Sequence, residues 1–224
     1  KNAGGAAQAL ALPERLDVPV ALSPGHGDAI PCSHPLYAGQ VGPRGNAVAS
    51  RLAREAHVIL ALGTRLGFNT TFYSHDNLNP QARIVHVDQD PAAVGRFFPV
   101  ALGIVGDARR IAEQVLAELS GHRRHADAVG WKRAFVEDRR ELLAERDRGG
   151  ALRGDPIQPA MLYHALRATV PPDAMFTMDA GTLCLQATDQ LPYAQPPALF
   201  TPLDLGLVGF SYAAGLGIKL ARPE

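Results

Sequence analysis

Short hydrophobic runs recur along the first part of the chain, separated by stretches whose apolar positions return every three to four residues. Pro19-Val20-Ala21-Leu22, His57-Val58-Ile59-Leu60-Ala61-Leu62, Arg83-Ile84-Val85-His86-Val87 and residues 100–105 read as strands, the longer ones continuous enough for a buried parallel sheet. Residues 6–16 have helical composition, with Pro13 predicting a kink or a fresh helix start. Residues 23–45 read as a Gly/Pro-rich loop. Asn46 then caps a helix whose apolar face carries Val48, Leu52 and Ala56. Asp107 heads another amphipathic helix through Ile111, Val115 and Leu119. Strands alternating with helices predict an α/β fold, a Rossmann-like parallel sheet covered on both faces. Ligands of such sheets lie beyond the carboxyl ends of the strands.

Around residue 121 the pattern changes. His122-Arg123-Arg124-His125 reads as solvated surface, and residues 131–147 as a charged helix lying on the outside, ended by Gly149-Gly150 and Gly154-Asp155-Pro156. A second α/β unit then begins, with a helix over 159–170, a strand over 174–178, the loop Asp179-Ala180-Gly181 and a last helix over 209–221. The expected division is therefore 1–121 for a central domain, 122–155 for a helical connector and 156–224 for the start of a further domain. This last unit is too short to close a sheet of its own.

Composition narrows the function classes. The 224 residues include 22 Lys and Arg against 22 Asp and Glu, so no net charge invites nucleic acid or an anionic membrane. The two cysteines, Cys32 and Cys184, are far apart and form no disulfide framework, which makes a reducing cytoplasm the expected setting. No apolar run is long enough to span a bilayer. The chain opens on Lys1-Asn2 without a signal peptide and stops just after a helix-like stretch, so both ends read as cuts.

Candidate chemistry gathers at the strand ends. Gly63-Thr64-Arg65 follows a strand, offering backbone N–H groups and a guanidinium to a phosphate. Asp88 closes the next strand, where an acidic residue can hold a ribose hydroxyl. Asp107 and Ala108 open the helix after the third strand, near the place for an adenine or ribose. The plainer alternative makes Asp107 a helix cap and Asp88 a solvated strand end. His26, Asp28, Cys32 and His34 invite a metal reading, but their spacing fits a zinc site poorly. Cys184 has no neighbouring base and reads as a buried small residue.

Ala3-Gly4-Gly5-Ala6, Gly39-Gln40-Val41-Gly42, Leu62-Gly63-Thr64-Arg65, Val87-Asp88-Gln89-Asp90-Pro91 and Gly106-Asp107-Ala108 stand in a characteristic order. Asp179-Ala180-Gly181, Leu205-Gly206-Leu207-Val208-Gly209-Phe210 and residues 215–223 continue it. Together they resemble the thiamine-diphosphate enzymes of the acetolactate synthase type. The loop from Gly25 to Pro35 is more similar to the sulfoacetaldehyde acetyltransferase branch.

The resemblance implies thiamine diphosphate and Mg²⁺ as cofactors, a 2-oxo acid substrate, and a homodimer or homotetramer at full length. A 2-oxo acid decarboxylase and a non-catalytic nucleotide-binding module are the competing readings. By resemblance, Gly181 and Thr182 contact the diphosphate, and Gly206 offers its carbonyl to the cofactor's 4′-amino group. Leu207 continues that turn, and Val208 falls at the apolar wedge beneath the bent cofactor. The catalytic glutamate is expected upstream of Lys1 and the magnesium motif after Glu224, so no residue here is expected to serve as catalytic acid or base.

In flavin-containing relatives the crevice holds the ADP part of FAD. That makes Gly5, Gly42, Gly63, Thr64, Arg65, Asp88, Asp107 and Ala108 its candidate residues. Those relatives follow the arginine with two acidic residues and a second arginine, where this chain has Gly67, Phe68 and Asn69.

Overall fold

A computed structural model describes residues 4–121, 126–194 and 196–223. The elements run α1 (Ala6–Leu16), β1 (Val20–Leu22), β2 (Tyr37–Gln40), α2 (Ala47–Glu55), β3 (Val58–Leu62), α3 (Phe68–Thr71), β4 (Arg83–Asp88), β5 (Leu102–Val105) and α4 (Ala108–Glu118). After them come α5 (Ala126–Ala151), α6 (Pro159–Thr169), β6 (Phe176–Thr177), α7 (Thr182–Gln190), β7 (Leu199–Phe200) and α8 (Phe210–Ala221).

Among the described residues every strand pairing is parallel. β1 pairs with β2, β4 lies between β3 and β5, and β6 pairs with β7. The predicted α/β architecture is present, but as three small sheets. Cover on both faces holds only in part. One face of β3–β4 packs Ala61 and Ile84 against Leu66, Leu78 and Phe98. On the other face, Val87 is buried between Leu62 and Ile104, whereas Leu60 and Leu102, one row back, are 39% and 52% exposed.

Three expectations need correction. The loop over 23–45 contains β2, whose four residues are all buried. Tyr-Ala-Gly-Gln has no run of β-branched residues, so its strand state comes from pairing with β1. The charged helix is not a surface ornament. Trp131, Phe135 and Leu142 share one face of α5, and Phe135 is fully buried against Ala38, Val41, Val48, Ala49 and Leu52. Gly149-Gly150 lies inside α5 and does not end it. A β-carbon on Gly150 would stand 2.3 Å from that of His164, so the glycine lets α6 approach. The cluster at 122–125 lies outside the described residues.

Other elements behave as their sequences ask. Asn46 caps α2 by accepting from the Ala49 N–H at 2.8 Å. α1 continues through Pro13.

The first and last parts of the chain meet along a buried seam. Asp28, fully buried, accepts the backbone N–H groups of Ala198 and Leu199 at 2.9 and 3.0 Å. Asp28→Ala strands both donors away from water and should destabilise the protein by roughly 2–4 kcal/mol. Denaturant titration checks this; an unchanged midpoint would mean that the two N–H groups have found other acceptors.

Candidate functional site

The crevice residues sit where β3 and β4 end and α4 begins. Gly63 turns left-handed, at φ 58°, and a β-carbon there would stand 3.8 Å from that of Ala108. The Thr64 hydroxyl lies 2.7 Å from that of Ser23, which ties the ends of β1 and β3 together. Behind this loop His86, 2% exposed, donates from Nε2 to the Thr64 carbonyl at 2.8 Å and accepts the Gly95 N–H on Nδ1 at 3.2 Å. These two contacts assign its tautomer. Arg65 is exposed, and its guanidinium has no partner among the described residues.

The acidic residues are engaged locally. Asp88 accepts the Asp90 N–H at 2.9 Å. Asp107 caps α4 by accepting the Arg110 N–H at 3.0 Å, and its other oxygen takes Gln89 at 2.8 Å. The backbone N–H of Arg110 and the side chain of Gln89 hold its carboxyl below the ordinary aspartate range.

Gly63, Thr64, Arg65, Asp88, Asp107 and Ala108 thus share one edge of the sheet. Gly5 stands at the flank, where a β-carbon would come within 2.9 Å of the Arg109 side chain. Gly42 lies against α3, where a β-carbon would meet the Thr70 carbonyl at 2.4 Å, and Ser50 engages both its N–H and its carbonyl. Phe68 stacks on Phe72 at 4.8 Å, so the stretch after Arg65 presents aromatic rings.

The second cluster forms where β6 ends. Ala180 donates its N–H to the Leu207 carbonyl at 3.0 Å, which lays the turn at 180–182 beside the turn at 205–209. Asp179 locks the pair: its oxygens accept the N–H groups of Gly209 at 2.8 Å and Ser211 at 2.7 Å, at the start of α8. Those two contacts pull its carboxyl below the ordinary range. Gly206 and Gly209 turn left-handed, at φ 69° and 87°. A β-carbon on Gly181, Gly206 or Gly209 would meet nothing within 4 Å. Thr182 is exposed beside them, and Leu207 and Val208 form an open apolar shoulder. Bare backbone next to an apolar ledge fits a flat heterocycle approaching the main chain.

Other candidates resolve into structure. Among the described residues no group of three or more His, Cys, Asp and Glu side chains could hold a metal ion. His34 pairs with Glu14 at 3.1 Å, while Asp28 serves the seam. Cys184 is buried against the Thr201 hydroxyl, and burial pushes its thiol up, away from the nucleophilic thiolate. Sequence reasoning missed the roles of His86 and Asp179. Their partners lie far along the chain, and no local spacing announces them.

Residues 1–119 match the family model described as "Thiamine pyrophosphate enzyme, central domain". The chain is 33% identical to a sulfoacetaldehyde acetyltransferase of Roseovarius nubinhibens over 95% of its length, and 32% identical to that of Rhodobacter capsulatus over 96%. It is also 30% identical to the acetolactate synthase isozyme 3 large subunit of Escherichia coli over 94% of its length. It spans 38%, 39% and 36% of those three proteins. No described helix is long and apolar enough to cross a membrane. With the parallel sheets and the strand-end crevice already in place, these matches put the chain in the thiamine pyrophosphate enzyme family, its first half being the family's central domain.

Proposed function

We propose that this chain is part of a thiamine-diphosphate- and Mg²⁺-dependent transferase acting on a 2-oxo acid or a close analogue. Residues 1–121 would form the central domain, 122–155 the connector and 156–224 the opening of the cofactor-binding domain. The observation that carries this reading is the Asp179 lock, which sets Gly181 and Thr182 beside Gly206, Leu207 and Val208. When bound, thiamine diphosphate supplies a nucleophilic thiazolium carbon. The chain's own part is to hold it: Gly181 and Thr182 toward the diphosphate, the Gly206 carbonyl toward the 4′-amino group, and Val208 beneath the fold of the cofactor. Full-length protein is expected to work in the cytoplasm as a homodimer or homotetramer.

Acetolactate synthesis from pyruvate is the first reading. Transfer of an acetyl group from sulfoacetaldehyde to an acceptor nucleophile, with sulfite as the leaving group, is the second, favoured by the higher identities and by the loop over 25–35. Full-length protein with thiamine diphosphate and Mg²⁺ decides between them when offered each substrate in turn. Turnover of neither substrate, with no cofactor binding, would sink the proposal. The isolated 224 residues, carrying only one cluster of cofactor contacts, should show no micromolar, Mg²⁺-dependent binding in a calorimetric titration. Such binding would place the metal ligands inside this chain.

For the crevice, FAD or another adenine nucleotide is the proposed occupant, with Arg65 on a phosphate. Gly5 and Gly42 would contribute through close backbone packing. If the full-length protein carries flavin, Arg65→Ala should lower its occupancy by removing a charge-assisted contact of about 1.5–3 kcal/mol. Thiamine diphosphate affinity should hardly move. A colourless protein with no extractable nucleotide returns Arg65 to an ordinary surface role.

A further inference from the structure

Asp189 is out of place by the rules of an isolated helix. It sits in the last turn of α7, where the helix dipole repels a carboxylate, and it is only 8% exposed. Its described side-chain partners all lie outside α7. One oxygen accepts the Gln40 backbone N–H at 2.6 Å and the Asn46 side-chain amide at 2.8 Å. The other pairs with the Arg146 guanidinium, which also donates to the Asp189 carbonyl at 3.3 Å. β2, the cap of α2, and α5 therefore converge on one carboxylate.

The neighbouring contacts have the same direction. Gln40 donates its side-chain amide to the Leu185 carbonyl at 3.3 Å and accepts the Thr188 hydroxyl. Tyr193 donates to the Ala187 carbonyl at 3.0 Å. Gly39 is required beside them, because a β-carbon there would stand 2.4 Å from the Asn46 amide and 2.6 Å from the Asp189 carboxylate. The C-terminal end of α7 is thus held from the central domain and the connector. Its N-terminal end carries Gly181 and Thr182 and stands open. About 13 Å of helix joins the two ends.

We propose that Asp189, with Gln40, Asn46 and Arg146, is a positioning device that fixes α7 and thereby aims the Gly181–Thr182 turn at the cofactor's diphosphate. This rests on the thiamine diphosphate reading above. A carboxylate that strains its own helix while joining three other segments is explained by the geometry it imposes.

The test uses full-length enzyme with Mg²⁺ saturating and thiamine diphosphate as the titrant. Asp189→Asn removes the charge, and Arg146→Gln removes one partner while leaving the buried amide contacts. Both should raise the cofactor Kd about tenfold or more, while kcat at saturating cofactor stays within about twofold. In the double variant the two losses should not add, because both break one cluster. Amide exchange across α7 should accelerate in each. If the folded variants bind cofactor as the parent does and lose only thermal stability, Asp189 is a structural pin and the proposal fails. If the parent itself does not bind thiamine diphosphate, it is the functional reading that has failed.

Discussion

Replacing Asp179 by Ala in the full-length enzyme should lower kcat/KM by about 100-fold, a loss of the size expected when reacting groups are misplaced by an ångström or so. The carboxylate joins two turns that are thirty residues apart in sequence, through the Gly209 and Ser211 N–H groups. Without it, the start of α8 loses its only described side-chain acceptors, and the Gly206 turn keeps just the Ala180–Leu207 contact to the turn at 180–182. Asp179→Asn retains one acceptor oxygen and should lose less, about tenfold. The same misplacement should also weaken cofactor affinity, measured by titrating thiamine diphosphate. A variant with unaltered affinity would show that the two turns hold their places unaided.

The same residue gives a pH expectation. Its carboxyl lies below the ordinary range because two backbone N–H groups favour the ionised form. A depressed native pKa means that the contribution is complete above the unfolded value, near pH 4, and is lost only as pH falls through the native one. Cofactor affinity should therefore show no Asp179-linked change between about pH 5 and 8. A loss centred near pH 6 would belong to another group.

Much of the fold was legible because burial and periodicity coincide where strands are long. β3 and β4 lie within a residue of the runs that announce them, and Asn46 and Asp107 cap the helices they were expected to cap. β2 was not legible, since Tyr37 to Gln40 is made a strand by its neighbour and not by its own residues. The short elements α7 and β7 were missed for the same reason: their burial is set by the seam with residues 27–46. At the candidate site the glycines were readable as motifs, because an open main chain is written in residue type. The carboxylates that hold them were not. Asp179 and Asp189 look like ordinary polar residues until partners 32 and 149 positions away are known.

Phe135→Ala should destabilise the protein by about 3–5 kcal/mol, the cost of emptying a fully buried aromatic site. The ring comes from the charged helix α5, yet it completes the core formed by Ala38 and Val41 after β1 and by Val48, Ala49 and Leu52 of α2. Around it α5 is fastened by the ion pairs Arg51 to Asp138 and Lys132 to Asp17, and by a hydrogen bond that Arg139 donates to the Cys32 carbonyl at 3.1 Å. These pairs are partly exposed and should each contribute about 1 kcal/mol or less, so the phenylalanine carries the attachment. The loss should appear as a fall in Tm, read by calorimetry on the full-length protein. Cutting Arg51→Ala instead should move Tm by no more than a few degrees. If the two variants were equally harmful, α5 would be held by its ion pairs. If neither mattered, α5 would be the loose outer connector that its charge alone suggests.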